Sequence, residues 1–570
     1  MSTNYPIFAL MKYQFTMIWM KRIGLVLMIG MLGVKGYGQI PTWEWARDGV
    51  GGGDETNMAS DDSGNVYLTG EFQDTIYFGA YMLTAHVTGG STNTFIVKYN
   101  SSGDVIWANC ADDSANVLIY GVAADNFGNV YTTGFYGTPT VTFGSYTLTN
   151  SGQSAIFIVK YNSVGTVVWA KGIGGTGSDI DQGYALTTDR DGNIYVTGDY
   201  NSPSLTFDTH TINNFANGTN IFIVKYNPSG NAIWARSAGG NGSIRSYDII
   251  CNSSANLYVT GDFYTSFVCY FGSDSVFDTG GGWDFFLAKY DSAGNILWTR
   301  NGIGGNDNCQ SVASDAQGNS FVAGSFSGSL IIGFDTLIDS SIGYGNPFIV
   351  KYDSTGNILW ARNGVGYAYG NNWVITDADG NVYLTGGMED TIITFDTITL
   401  IAQYNSYNAM FIVKYNSSGH AVYGFTLASG GDDYNNIANG PSGSIYIGGD
   451  FQYISPFIFS ADSLFLTGGE TPFVAKFNSL TEGTQEIRPQ QTISLYPNPN
   501  NGTFTLSYSQ LSIPNSQFEI IDVLGRTVYT HYIYIEGKET IDVSGLSNGV
   551  YFYQLINNTE TCRGKFVKAN

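Results

Sequence analysis

Two strings recur along most of this 570-residue chain, and they restrict the folds that it can adopt more than any other feature. Variants of Phe-Ile-Val-Lys-Tyr begin at Phe95, Phe157, Phe222, Phe286, Phe348, Phe411 and Phe473. Variants of Gly-Asn-Val-Tyr-Leu-Thr-Gly begin at Gly64, Gly128, Gly192, Ala255, Gly318, Gly380 and Gly443. Since both strings share one count and one period of 62 to 65 residues, they predict seven copies of one structural unit.

Each unit divides into four short strands joined by turns. In the first unit, an Asp- and Gly-containing turn at 61–65 precedes a strand at Val66–Phe72. A variable excursion follows, then strands at Phe95–Asn100 and Val105–Asn109, and the last of these carries Trp107. The 40 Tyr and 35 Phe residues suit such strands, because aromatic side chains fill pleated surfaces. Four antiparallel strands repeated seven times predict an all-β chain folded as a β-propeller.

The two ends of the repeat region predict how the ring closes. The fourth-strand aromatic is missing after the last unit, which stops at Phe477, whereas the region begins with an unpaired strand-like segment around Trp43 and Trp45. An N-terminal strand that completes the last unit would leave no open sheet edge. The sequence therefore predicts a seven-bladed β-propeller closed by its N-terminal strand, followed by a small C-terminal β-sandwich.

The two recurring strings resemble those of the bacterial seven-bladed β-propeller repeat family (SBBP-type), which occurs in surface and secreted proteins. The resemblance covers about 440 residues. It implies a scaffold and no particular reaction.

The C-terminal segment differs in character and has its own landmarks. These are Ile493–Pro499, Gly502–Phe504, Ile521–Val528, Leu546–Tyr551 and Gly564–Lys568. They resemble the type A C-terminal sorting domain of the type IX secretion system. The resemblance implies a Bacteroidota-like bacterium, export through the secretion machinery, and release or attachment at the cell surface.

The N-terminus has the features of an export signal. Lys21 and Arg22 precede the apolar run Ile23–Val34, and small residues surround a cut before Gln39. We expect a signal peptide at 1–38 (with Met20 as an alternative start), the propeller at 39–482, a linker at 483–491 and the sorting domain at 492–570. The mature chain is expected to lack a transmembrane span and to be extracellular or on the outer-membrane surface.

Charge excludes one class of partner. Residues 39–491 contain 15 basic and 41 acidic residues, so they would repel a phosphate backbone, and we expect no nucleic-acid ligand. Twelve of the 15 basic residues occupy repeat positions, seven of them as the lysine of the Phe-Ile-Val-Lys-Tyr string. Because this lysine faces away from Phe and Tyr, we interpret it as a structural cation between blades.

No catalytic motif or cofactor site is evident. The four histidines occupy no repeat position, and Cys110, Cys251, Cys269, Cys309 and Cys562 have no metal-ligand spacing, although Cys251 and Cys269 could form a disulfide. The turns at 189–193 and 377–381 resemble half of a calcium loop. They lack the bidentate Glu of such a loop, so we interpret them as turns and predict no cofactor, with calcium as the alternative.

The variable loops at the opposite end from the regular turns form the candidate ligand face, since binding residues concentrate on variable loops. Its polar and aromatic residues are Asp54, Glu55, Asp112, Asp113, Asp179, Asp181, Asp307, Tyr367, Tyr369, Asp432, Asp433 and Tyr434. A solvated acidic rim is the alternative interpretation. We expect a non-catalytic scaffold for binding or adhesion to a glycan or protein. The alternatives are an extracellular polysaccharide hydrolase or lyase and a structural surface-layer or gliding-associated component.

Overall fold

The computed structural model describes most of the chain in two compact units, Met1–Gly483 and Thr484–Asn570. The described residues are 42–85, 92–111, 116–174, 180–215, 218–264, 268–277, 282–339, 345–368, 372–402, 409–428, 436–452, 457–459, 462–466, 470–478, 493–496, 500–508, 516–522, 526–533, 537–556 and 561–569. The predicted signal peptide at 1–38 and linker at 483–491 lie outside them.

The first unit begins with β1 (Trp43–Asp48), and the first full repeat then forms six strands. They are β2 (Gly53–Ser60), β3 (Val66–Phe72), β4 (Thr75–Phe78), β5 (Tyr81–Thr84), β6 (Asn93–Tyr99) and β7 (Val105–Cys110). Strands β2, β3, β6 and β7 form one antiparallel sheet in that order, and β4 pairs with β5 as a hairpin. The excursion predicted between the second and third strands is thus a hairpin, which turns at Gly79, where φ is 58°.

The next three repeats have the same arrangement. The second contains β8 (Val117–Ala124), β9 (Val130–Tyr136), β10 (Thr140–Phe143), β11 (Tyr146–Thr149), β12 (Ala155–Tyr161) and β13 (Val167–Ile173). The third contains β14 (Asp181–Thr188), β15 (Ile194–Tyr200), β16 (Ser204–Phe207), β17 (His210–Asn213), β18 (Asn220–Tyr226) and β19 (Ala232–Ala238). The fourth contains β20 (Ser243–Cys251), β21 (Leu257–Tyr264), β22 (Val268–Phe271), β23 (Asp274–Phe277), β24 (Asp284–Tyr290) and β25 (Ile296–Asn301).

The fifth and sixth repeats keep the four-strand sheet and add pairings to it. The fifth contains β26 (Ile303–Gly304), β27 (Asp307–Ser314), β28 (Ser320–Phe326), β29 (Ser329–Ile332), β30 (Asp335–Ile338), β31 (Asn346–Tyr352) and β32 (Ile358–Val365). The sixth contains β33 (Trp373–Thr376), β34 (Val382–Met388), β35 (Ile392–Phe395), β36 (Ile398–Ile401), β37 (Ala409–Tyr415) and β38 (Ala421–Ala428). The end of β32 pairs with β35, so a fourth strand is linked to the hairpin of the following repeat.

The last sheet takes its strands from both ends of the repeat region. Its own repeat supplies β39 (Asn436–Asn439), a 3₁₀ turn at Pro441–Gly443, β40 (Ser444–Phe451), the hairpin β41 (Phe457–Phe459) and β42 (Asp462–Leu464), and β43 (Thr471–Asn478). The sheet order is β1-β43-β40-β39. The N-terminal strand β1 pairs antiparallel with β43, with Ala46 opposite Ala475, and so takes the place of the missing fourth strand.

Neighbouring sheets are joined by a contact that repeats along the chain, which we call the Trp–turn contact. In it, the fourth-strand Trp of one repeat packs on the Gly between the third and fourth strands of the next. Trp234 Nε1 donates to the Ser292 carbonyl at 3.2 Å, and a Cβ on Gly294 would lie 3.0 Å from the indole. Equivalent hydrogen bonds are made by Trp45, Trp107, Trp169, Trp298 and Trp360. Trp45 of the last sheet contacts the first repeat in this way, at Ser101.

The repeat-position lysines lie between sheets, as predicted. Four form ion pairs, namely Lys225–Asp189 at 3.6 Å, Lys351–Asp315 at 3.4 Å, Lys414–Asp377 at 3.4 Å and Lys476–Glu44 at 2.8 Å. Four donate to carbonyls of the next repeat, namely Lys98 to Ser163, Lys160 to Pro228, Lys289 to Ser354 and Lys351 to Ser417. Each ammonium also lies over an aromatic ring, such as Tyr67 for Lys98 at 5.1 Å. These cations stabilise the interfaces between sheets.

The second unit is a small two-sheet β-structure. Its strands are β44 (Ile493–Tyr496), β45 (Thr503–Tyr508), β46 (Ser516–Ile521), β47 (Thr527–Ile533), β48 (Gly537–Asp542), β49 (Gly549–Ile556) and β50 (Thr561–Lys568). They form sheets of order β44-β45-β48 and β47-β46-β49-β50 around buried Phe504, Leu506, Phe518 and Phe566. Within the part of the chain that the structure describes, no helix is long and apolar enough to span a membrane.

Candidate functional site

The candidate site is a cleft of about 460 Å³ at the end of the sheets where the first strands begin. We call this the cleft end, and the opposite end, with the regular Asp/Asn-x-x-Gly turns, the turn end. The cleft is lined by the fourth repeat, the start of β27 and the end of β28 in the fifth, and Tyr367 and Ala368 before β33. Three consecutive repeats therefore contribute to one concave surface.

Trp283 is fixed in the cleft by its own backbone. Its N–H donates to Asn306 Oδ1 at 3.2 Å, and its carbonyl accepts from the Asp307 N–H at 2.7 Å. The Asp307 carboxylate in turn accepts from the Phe285 N–H at 2.7 Å. These bonds tie the loop before β24 to the start of β27 and hold the half-buried indole in one place.

Arg245, on β20, forms a second wall. Its guanidinium carbon lies 4.9 Å from the centroid of the Trp283 ring, which is cation–π geometry. It also hydrogen-bonds to Tyr247, whose hydroxyl donates to Asp262 Oδ2 at 3.2 Å. A short polar chain thus runs from an exposed cation through Tyr247 to a buried carboxylate.

Asp262 is nearly buried, with 5% of its surface exposed, and its Oδ1 has no hydrogen-bond partner among the described residues. Burial raises its pKa to about 7, although Arg245 and the Tyr247 hydroxyl act to lower it. Asp199, at the same position in the third repeat, is also buried, and its pKa is raised well above the usual value, again because of burial. The cleft therefore has a carboxyl group that can exchange a proton near neutral pH.

A row of aromatic side chains continues from the cleft along the first strands of earlier repeats. Tyr247, Tyr184 and Tyr120 occupy the bulged position of β20, β14 and β8. The rings of Tyr184 and Tyr247 have centroids 6.0 Å apart, and those of Tyr120 and Tyr184 stack at 5.1 Å. Phe135 extends the row, 5.7 Å from Tyr120. These contacts make the wall beside the cleft rigid.

The structure brings together two residues of the predicted ligand face, Asp307 and Tyr367, which both line the cleft. Asp181 does not line it; it is fully buried, and its carboxylate accepts from the Ser202 hydroxyl at 2.6 Å and from two backbone N–H groups. Asp54 is half-buried on β2, away from the cleft, and the backbone of Glu55 lies beside it. The other members lie outside the described residues, namely Asp112, Asp113, Asp179, Tyr369, Asp432, Asp433 and Tyr434.

Sequence reasoning missed four residues that define the cleft, namely Arg245, Tyr247, Asp262 and Trp283. One signal could have found Arg245. It is among the few basic residues of 39–491 outside a repeat position. Asp262 and Trp283 gave no comparable signal, because aspartates and aromatics occur throughout the repeats.

The Asp-rich turns act as turns. Asp189 Oδ1 accepts from the N–H groups of Asp191 and Asn193, and Oδ2 accepts from the Tyr195 hydroxyl at 3.0 Å. Asp377 accepts from Asp379 and Asn381 in the same way. These bonds occupy the oxygens that a cation would need. Among the described residues, no group of three or more His, Cys, Asp or Glu side chains is arranged to hold a metal.

Among the described residues, the four cysteines of the repeat region form no disulfide. Cys251 and Cys269 do not form the disulfide that the sequence allowed, and Cys110 and Cys309 are also reduced. Burial raises the pKa of Cys251, Cys269 and Cys309 to about 12, so these thiols are protonated at neutral pH and are poor nucleophiles.

Comparison with known proteins supports both resemblances. A family model described as a secretion system C-terminal sorting domain matches residues 494–569, and a β-propeller repeat model matches residues 168–203. An uncharacterized WD repeat-containing protein of Acanthamoeba polyphaga mimivirus is 27% identical over 444 residues, which cover 64% of this chain and 31% of that protein. Regulatory protein FlaEY of Caulobacter vibrioides is 26% identical over 146 residues, 25% of this chain and 15% of its own. The chain thus spans less than a third of either relative.

Solved structures give weaker likenesses. A Synechocystis apocarotenoid oxygenase has a TM-score of 0.31 at 9% identity, covering 69% of this chain and 95% of its own. The exo-inulinase of Aspergillus awamori has a TM-score of 0.23 at 8% identity, and the match covers 94% of this chain and 93% of the inulinase. Scores this low do not establish a common fold. The two family matches therefore show a β-propeller repeat within the repeat region and a C-terminal sorting domain of the type IX secretion system, and the sorting domain marks the chain for export to the cell surface or the extracellular space.

Proposed function

We propose that this exported protein is a closed, seven-bladed propeller that binds a glycan in the cleft. The seven-sheet count, the pairing of β1 with β43 and the contact between Trp45 and the first repeat support the closed ring. Such a ring gives a rigid frame on which the cleft-end loops can hold a binding site. The sorting domain implies interaction with the secretion machinery, which fits a ligand met outside the cell.

The observation that carries glycan binding is the convergence of Trp283, Arg245 and Asp262 in one cleft. An aromatic ring offers an apolar face to the C–H groups of a sugar, while planar polar groups hydrogen-bond to its hydroxyls. Asp262 lines the same cleft, with 5% of its surface exposed, and adds a carboxyl group beside Tyr247 and Arg245. Asn306, at the rim, adds a further exposed amide.

The test is a polysaccharide array with purified protein, reading retention of the protein on each glycan. We expect Trp283→Ala to reduce retention on the recognised glycan about tenfold or more, since it removes the stacking surface. Phe334→Ala is the matched control, because Phe334 is a fully exposed aromatic on the fifth hairpin and does not line the cleft. Equal losses in both variants, or retention on no glycan, would contradict the proposal.

One observation favours a second function, cleavage of the bound glycan by hydrolysis or elimination. Asp262 and Asp307 line the same cleft, and a carboxyl group with a pKa of about 7 can donate a proton to a leaving oxygen. If the protein is such an enzyme, released oligosaccharide will appear with the wild type and disappear in Asp262→Asn, while retention persists. Retention without any product supports the binding scaffold alone.

A further inference from the structure

Arg245 differs from the repeat-position arginines in the contacts that its guanidinium makes. The repeat-position arginines donate to backbone carbonyls of the next turn, as Arg236 does to Gly294 at 2.9 Å and Arg300 to Gly356 at 2.6 Å. Arg362 does the same with Gly419 at 2.8 Å. These cations serve the interfaces between sheets. Arg245 makes none of these bonds and instead lies exposed in the cleft.

The surroundings of Arg245 do not neutralise it. It forms no ion pair with any residue that the structure describes. Its one hydrogen-bonding side chain is the neutral Tyr247, and its stacking partner is the indole of Trp283. Asp262 and Asp199 act on it electrostatically, yet burial raises the pKa of both carboxyl groups and so reduces the negative charge that they carry near neutral pH. A guanidinium that lies over a ring and makes no ion pair still has several N–H groups that can donate to a ligand.

We propose that Arg245 is a subsite for the carboxylate of an acidic sugar, so that the recognised glycan contains uronic acid residues; this rests on the proposed glycan-binding function. A carboxylate is the group that a guanidinium pairs with in bidentate geometry. Trp283 then stacks on the same sugar or its neighbour, and the exposed Asn306 hydrogen-bonds to a hydroxyl.

The net charge of the repeat region limits what kind of acidic glycan fits. With 41 acidic and 15 basic residues in 39–491, a densely charged polyanion is repelled. Screening at physiological ionic strength limits that repulsion to a range of about 8 Å, so Arg245 can still attract a single carboxylate. The structure therefore favours a mainly neutral chain with occasional uronic acid residues.

The experiment compares each acidic glycan on the array with its carboxyl-reduced form, in which the uronic acid has become the neutral hexose. We expect the wild type to bind the acidic form at least tenfold more tightly. Arg245→Gln should abolish this preference, and Arg245→Lys should restore part of it. Arg190→Gln is the matched control, since Arg190 is an exposed arginine in a turn-end loop. Unchanged thermal unfolding of each variant shows that folding is intact.

The outcomes separate the two proposals. If the acidic and reduced forms are retained equally, or if Arg245→Gln keeps the preference, the carboxylate subsite is wrong while glycan binding stands. If neither form of any glycan is retained, both are wrong. A preference for the acidic form that is lost in Arg245→Gln and kept in Arg190→Gln supports the subsite.

Discussion

The two ends of the repeat region use the same residue types for different purposes. At the turn end, Trp234 donates to a carbonyl of the next repeat and Arg236 caps the same turn. At the cleft end, the Trp283 indole and the Arg245 guanidinium stack on each other and line a concavity. A carboxylate is hydrogen-bonded on both oxygens in the turn of Asp189, whereas Asp262 has an oxygen without a described partner.

The repeated contacts between sheets and the candidate site therefore lie at opposite ends of the sheets. At the turn end, six of the seven sheets make the same Trp hydrogen bond to the next sheet, and the sixth repeat has Tyr423 in place of the Trp. The cleft end differs from repeat to repeat, so its polar groups are not all used by the fold. A buried polar group that has no hydrogen-bond partner in the fold marks a place where a binding site is expected.

The largest effect should come from breaking a Trp–turn contact. Trp234 is 7% exposed and packs on Gly294, so Trp234→Ala should lower the free energy of unfolding by about 3–5 kcal/mol. Trp283→Ala is the matched change at the cleft end and should lower it much less, because that indole is half-exposed. Denaturant unfolding of both variants measures the difference. Equal destabilisation would mean that the two ends are not distinct in role.

The next effect concerns pH and has opposite signs at the two ends. The pKa of Asp262 is about 7 in the folded protein, above its unfolded value, so this group favours folding below pH 4 and loses that contribution as pH rises through 7. As the pH rises from 4 to 8, the wild type loses this contribution and the non-titrating Asp262→Asn variant does not. The free energy of unfolding of the variant minus that of the wild type should therefore rise by roughly 2–4 kcal/mol over this range.

Asp353, in a turn-end loop, provides the contrast. Desolvation acts to raise its pKa, but hydrogen bonds from Asn357 and Thr355 outweigh this and lower the pKa to about 2. Its contribution is present above pH 4 and is lost as pH falls through 2. Asp353→Asn should therefore show no gain between pH 4 and pH 8. Parallel curves for the two variants in unfolding experiments would contradict the assignment.

The smallest effect is expected at a half-exposed ion pair that links a fourth strand to the following hairpin. Lys171 and Asp208 are 2.7 Å apart, with about a quarter to a third of each side chain exposed. Lys171→Met should change the free energy of unfolding by less than about 1 kcal/mol, and less still at high salt. A loss of several kcal/mol would show that hairpin attachment, and not the Trp–turn contact, holds the sheets together.

Much of the fold could be predicted because it depends on local patterns. The strand at Val66–Phe72 and its preceding turn have the predicted bounds, since Asp and Gly set the turn and β-branched and aromatic residues favour the strand. The missing fourth strand was visible as a missing aromatic in the last repeat. The hairpins were not predicted, because short pairs such as β4 and β5 have only four residues each and vary between repeats.

The repeat, its strands, its interface lysines and the sorting domain follow from the sequence alone, because each of these depends on residues near one another in the chain. Only the tertiary structure decided the cleft. Arg245, Trp283, Asp307 and Tyr367 come from three repeats and meet only after the sheets pack side by side. The same packing decides which charges are used by the fold, since the partners of Arg236 and Arg245 are set by neighbours far away in sequence.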